Sequence, residues 1–183
     1  MELTALLQQN REAVLEKWFE AIIATYPRQT SQFLTRQKDR FRNPIGYAID
    51  HSIGPAYDQL AAEMDDGALS EALDSIVRIR SVQEFSPSQA VAFIFELKKI
   101  IREVLADAAD DPGQAGSFAA LDERIDRAAL IAFDKYSDCR RQLFEIRTGE
   151  IRRQSDKIME RYTAKPRASR ASHKKGESAD DVM

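Results

Sequence analysis

Turn-forming residues are scarce in this chain, with 7 glycines and 6 prolines among 183 residues. That is too few for the many tight turns of a β-sandwich, a barrel or a doubly wound sheet. A single cysteine, Cys139, excludes an internal disulfide. No uncharged run approaches the ~18 apolar residues of a membrane-spanning helix, and the opening MELTALLQQNREAV places acids and polar residues where a secretory segment carries its apolar stretch. A cytoplasmic location is therefore expected. Charge of one sign is also lacking: 27 basic residues stand against 30 acidic ones, a net of −3. This argues against a general nucleic-acid binder. What is abundant is Ala, Leu, Glu, Arg and Gln, the composition of a helical protein. The expected fold is all-α, a helical bundle over residues 1–163 with a basic, disordered tail over 164–183.

Spacing supplies the organisation. Leu3, Leu7, Val14, Trp18, Ile22 and Tyr26 recur at helical intervals, which predicts one amphipathic helix closed by Pro27, with a short helical piece around Gln32 to Leu34. Arg36, Lys38, Arg40 and Arg42 then form the most basic stretch before the tail. Asn43 followed by Pro44 reads as an N-cap with proline at the first helical position. The helix they open contains Gly54 and Pro55, which predicts a kink or break between His51 and Pro55. Asp65, Asp66 and Gly67 read as a turn, and a helix is expected from about Ser70 to Gln83 with Leu73, Ile76, Val77 and Val82 inward. Ser86, Pro87 and Gln89 form a capping-box signature for a central helix to about Ala108. Asp110 to Gly116 reads as a loop, and its aspartates lack the ligand spacing of an EF-hand.

From Ser117 to about Tyr162 no proline interrupts a helical pattern. As one helix this stretch extends about 69 Å at ~1.5 Å per residue, so part of it should protrude from a domain of this size or bend at Gly149. Leu121, Ile125, Ala128, Ala132, Cys139, Leu143 and Ile146 share one side. From Phe144 a second row begins, with Phe144, Thr148, Ile151, Ser155, Ile158 and Tyr162 in four-three alternation, the seam of a weak coiled coil. Phe144, Ile151 and Ile158 are thus candidate partner-binding residues, and a homodimer is expected.

Chemistry-bearing constellations are absent. Catalysis requires a nucleophile with its base, paired carboxylates in a cleft, or a metal. Of the two histidines, His173 lies in the tail, leaving His51 alone. Neither a phosphate-binding loop nor a dinucleotide fingerprint occurs. The reading is a non-enzyme with no metal and no cofactor. A ligand pocket at Tyr47 and His51, with His51 as a single axial haem ligand, is a further reading. Trp18, Phe41, Tyr47 and Tyr57 are expected at the core or its edge, and Cys139 inertly buried. Arg78 and Arg80 cannot both share the core face of one helix, so at least one should project outward, where a forked guanidinium suits partner recognition.

Three stretches resemble one family: Phe33 to Ile49 (FLTRQKDRFRNPIGYAI), Ala72 to Ile94 (ALDSIVRIRSVQEFSPSQAVAFI) and Ile131 to Arg147 (IAFDKYSDCRRQLFEIR). They are similar to the N-terminal domain of the RsbR and RsbD type co-antagonists of the kinase RsbT, the bacterial stressosome sensors. The middle stretch is the most specific. The resemblance implies a helical, globin-like domain without haem that dimerises and passes through a long helix to a phosphate-receiving STAS domain. Such a domain requires about a hundred residues, whereas 20 follow Thr163. The implied protein is a free-standing sensory or scaffold half. Its implied partner is a regulatory protein, either a kinase or a subunit of a membrane redox complex, the second because stand-alone relatives occur in sulphur-metabolising bacteria.

Overall fold

Helix starts stand where the sequence places its caps. In a computed structural model that describes residues 2–163 apart from 37, 38, 40 and 84, Asn43 opens a helix by accepting from the Gly46 amide at 2.8 Å. Its amide group also donates to the Leu34 carbonyl at 2.8 Å, so the cap is buried and tied to the preceding helix. A Cβ at Gly46 would lie 2.2 Å from Asn43 Nδ2, which is why the third helical position is glycine. Ser86 and Gln89 form the expected reciprocal box, with Gln89 N donating to Ser86 Oγ at 3.3 Å and Ser86 N to Gln89 Oε1 at 3.0 Å.

All regular structure among the described residues is helical: α1 (Leu3–Gln9), α2 (Arg11–Ala24), α3 (Arg28–Arg36), α4 (Pro44–Ala61), α5 (Asp66–Val82), α6 (Pro87–Val104), α7 (Ala106–Ala109), a 3-10 turn over Pro112–Gln114, and α8 (Ala115–Thr163). The all-α expectation holds, and several boundaries differ from it. The predicted first helix is two, α1 and α2, which meet at Asn10, whose side-chain amide and backbone N–H both donate to the Leu6 carbonyl, at 2.9 and 3.1 Å. No break occurs at Pro55. Helix α4 runs through it because Ile49, Ile53, Ala56, Tyr57 and Leu60 are buried on both sides of the proline, and their burial outweighs a lost bond of about 3 kcal/mol. Asp65, read as part of a turn, caps α5 by accepting from the Ala68 amide at 2.7 Å, so α5 starts at Asp66. Leu105 ends α6 earlier than expected. Helix α8 continues through Gly149 as one helix of 49 residues. Lys38, Arg40 and the proposed tail lie outside the described residues.

The chain divides at Leu143 into two units. In the first, α2 packs on α6 and α4 on α5, and one core joins Leu7, Trp18, Ile22, Ile49, Tyr57, Leu73, Ile76, Phe93, Leu97 and Ile125. Trp18 stacks on Phe93 with centroids 6.0 Å apart and donates its indole N–H to the Phe93 carbonyl at 2.7 Å. Arg11 grips Asp58 through both carboxylate oxygens, and Arg102 grips Asp122 likewise, tying α2 to α4 and α6 to α8. Phe41, expected at the core edge, is 92% exposed, and Val82, expected inward, is exposed at the last position of α5. In the second unit, the described residues are the helical turns from Phe144 to Thr163.

Candidate functional site

Helical period decides the most unusual group in the first unit. Leu69, Leu73, Ile76 and Val77 set the inward side of α5, and at ~3.6 residues per turn the next inward positions are Arg80 and Ser81. Arg80 is 0% exposed. Its Nη1 donates to the Gln89 carbonyl at 3.0 Å, and its Nη2 to Thr25 Oγ1 at 2.8 Å and to the Ile22 carbonyl at 3.4 Å. The guanidinium carbon stands 4.7 Å from the Phe85 ring centroid, 4.9 Å from Phe93 and 5.7 Å from Tyr26. Among the described residues no carboxylate pairs with it, and Nε has no partner. Burial accordingly pulls its pKa below the ordinary arginine value. Compensation comes from ring quadrupoles and from the negative ends of α2 and α5, whose last turns both meet here.

The expected surface role of Arg80 is therefore corrected. A core-facing register and three internal acceptors make it a knot joining α2, α5 and α6. Arg78 is the residue that projects outward, as the geometry of two arginines one residue apart requires, and its Nε pairs with Asp74 at 2.7 Å. Burial raises the pKa of Asp74, but hydrogen bonds from Lys135 and Arg78 outweigh it and hold the carboxyl below its usual value.

Helix α8 packs beside this knot. Tyr136 Oη donates to the Phe85 carbonyl at 2.8 Å, Arg140 Nη1 to the Ser81 carbonyl at 3.1 Å, and Lys135 Nζ meets Asp74 at 2.6 Å. Cys139 between them is buried. Only Arg78 and Arg80 of this group were legible as candidates; Tyr26, Phe85, Tyr136 and Arg140 were missed, and of these only Phe85 lies near VRIR in the sequence.

In the second unit, Phe144 is 70% exposed, Ile151 68% and Ile158 54%. They occupy successive d positions of a heptad, with Thr148, Ser155 and Tyr162 at a, and all six are exposed. Ile146 is also exposed, which departs from its expected place on the buried side of α8.

Tyr47 and His51 come together in a cavity of about 570 Å³ between α4 and α5, lined also by Phe41, Pro44, Ser52, Glu71 and Ser75. Their rings stack with centroids 3.7 Å apart, and His51 Nδ1 lies 2.9 Å from the Tyr47 carbonyl. A carbonyl only accepts, so Nδ1 carries the proton, and in the neutral ring Nε2 is the acceptor. Among the described residues no cluster of His, Cys, Asp or Glu has the geometry of a metal site, and no helix is long and apolar enough to cross a membrane.

Residues 12–151 match the family described as the RsbT co-antagonist protein rsbRD N-terminal domain. The chain is also 23% identical over 143 residues to an uncharacterized protein of Archaeoglobus fulgidus, a match covering 77% of this chain and 84% of that one. No solved structure matches.

Proposed function

Because the chain belongs to the family of RsbT co-antagonist N-terminal domains, we propose that it is a non-catalytic regulatory module of stressosome-type signalling, acting in the cytoplasm through protein–protein contact. Its first partner is a second copy of itself. The exposed d row Phe144, Ile151 and Ile158 carries this reading. Such a row is self-complementary, as a two-fold interface requires, and the hydroxyls Thr148 and Ser155 at a leave room for a close neighbour. By the same heptad the flanking e and g positions are Glu145, Arg147, Arg152, Gln154, Met159 and Arg161, three arginines against one glutamate, so pairing of two copies should be weaker at low ionic strength.

The knot around Arg80 supplies the input side. A change in packing at Phe85 or Ser81 displaces the acceptors of Tyr136 and Arg140, and Arg140 stands one helical turn before Phe144 on α8. Packed helices switch between discrete arrangements, so a small displacement there becomes a change in the register of the output seam. A kinase or redox-complex subunit would then read that register.

Light scattering of the full chain tests the proposal. We expect twice the 20.8 kDa chain mass at micromolar concentration. Phe144→Ser, Ile151→Ser and Ile158→Ser together should yield the monomer mass with an unchanged thermal melt. A wild-type monomer, or a dimer indifferent to the triple substitution, would contradict the reading.

A further inference from the structure

The cavity between α4 and α5 has the makings of a small-molecule site independent of the seam. At about 570 Å³ it falls in the size range of ligand pockets, about 300–1,000 Å³. Its walls combine aromatic surface with acceptors. Phe41 is almost wholly exposed and stands at the mouth, its position fixed by Asp39 Oδ1, which accepts from the Phe41 amide at 2.8 Å and the Arg42 amide at 3.0 Å. Tyr47 and His51 form a stacked platform. The neutral imidazole presents an acceptor at Nε2, since Nδ1–H is committed to the Tyr47 carbonyl, and Nε2 makes no hydrogen bond among the described residues.

The sign of charge selects the ligand class. Among the described residues that line the cavity, Glu71 is the carboxylate, and neither lysine nor arginine is among them. Asp50, 3.7 Å from His51 Nδ1, adds negative potential beside the platform. Anionic ligands such as nucleotides or carboxylates meet repulsion from these two carboxylates. A cation meets a carboxylate and aromatic faces, whose negative quadrupoles attract ammonium groups by about 0.5–2 kcal/mol each. Hydroxyls of Ser52 and Ser75 complete a set of groups able to accept from an N–H donor.

We propose that the cavity lined by Phe41, Tyr47, His51 and Glu71 binds a small organic cation, an amine or amidine attached to a flat apolar body. The body lies against Phe41 and the Tyr47–His51 stack, the charged nitrogen is held by Glu71, and a donor N–H meets His51 Nε2.

The full chain can be titrated with phenethylamine and with its anionic counterpart phenylacetate while the ring protons of His51 are followed by NMR. A His51→Asn variant identifies their resonances against those of His173. Phenethylamine should shift the His51 signals saturably, at least tenfold more tightly than phenylacetate. Glu71→Gln should weaken phenethylamine binding at least fivefold and abolish the preference, and Phe41→Ala should weaken both compounds, with thermal melts unchanged. Equal binding of the two compounds, no saturable shift, or affinity indifferent to Glu71→Gln would overturn the assignment. None of these outcomes depends on whether the chain dimerises.

Discussion

Substituting Arg80 separates a structural knot from a recognition residue. Arg80→Ala truncates a side chain that lies wholly inside the first unit, between three aromatic rings. Truncating a long core side chain to Ala costs about 2–5 kcal/mol. The Thr25 hydroxyl and Gln89 carbonyl also lose a charged donor, but Thr25 Oγ1 keeps its own bond to the Ile22 carbonyl at 2.6 Å, so that loss sits at the low end of about 1–3 kcal/mol. Opposing both is relief of a buried ion that no described carboxylate pairs with, about 1 kcal/mol in the other direction once the rings and acceptors that hold it are lost with it. We expect a net destabilisation of about 3 kcal/mol, or roughly 6–12 °C in Tm for a chain of this size. Arg80→Met keeps the packing and sheds the ion, so it should lie within about 1 kcal/mol of wild type. Urea titration followed by far-UV circular dichroism reads both. A loss below about 1 kcal/mol for Ala, or a Met variant less stable than the Ala variant, would refute the placement of Arg80 as a packed internal cation.

Ser86→Ala removes half of the capping box and should lower stability by about 1 kcal/mol in the same titration, while Ser88→Ala should be near neutral. Burial pushes the Tyr57 hydroxyl up to about 12, whereas an unfolded tyrosine ionises near ~10. Its contribution is therefore complete below pH ~10 and lost as pH climbs toward 12, and Tyr57→Phe should flatten that alkaline decline while losing about 1 kcal/mol at neutral pH from the bond to the Leu7 carbonyl. Asp74 titrates below its ordinary value because of Lys135 and Arg78, so its contribution is full above pH ~3.9 and disappears as pH falls through the lower folded value. Asp74→Asn should show a shallower acid limb in pH-dependent urea midpoints.

Local chemistry was readable wherever one or two residues decide the geometry. Asn43–Pro44 and Ser86–Pro87–Gln89 announced helix starts because capping needs only a side-chain oxygen and a fixed φ. The all-α class followed from the shortage of turn formers, and the row Phe144, Ile151 and Ile158, exposed along α8, from periodicity alone. Failures occurred where tertiary packing overruled a local rule. Pro55 sits mid-helix because its neighbours on both sides are core residues, which no window around the proline discloses. Arg80 was misread for a different reason. Period placed it inward, beside Ile76 and Val77, but residue type argued for the surface, and the rings that make its burial tolerable come from α2, α6 and the connection between α5 and α6. Val82 drew the opposite error, since an apolar residue at the last position of α5 was taken as inward. The Tyr47–His51 pair was visible as an i, i+4 neighbour relation, whereas Glu71 arrives from α5 and needed the fold.

Hydrogen exchange of the amides from 144 to 162, measured across a hundredfold range of protein concentration, tests the central claim most directly. A seam covered by a second copy should be protected, with protection rising with concentration by mass action and vanishing in the triple Phe144, Ile151 and Ile158 serine variant. Rapid exchange of these amides at every concentration, with the first unit still protected, would contradict the claim that this face is read by a partner copy.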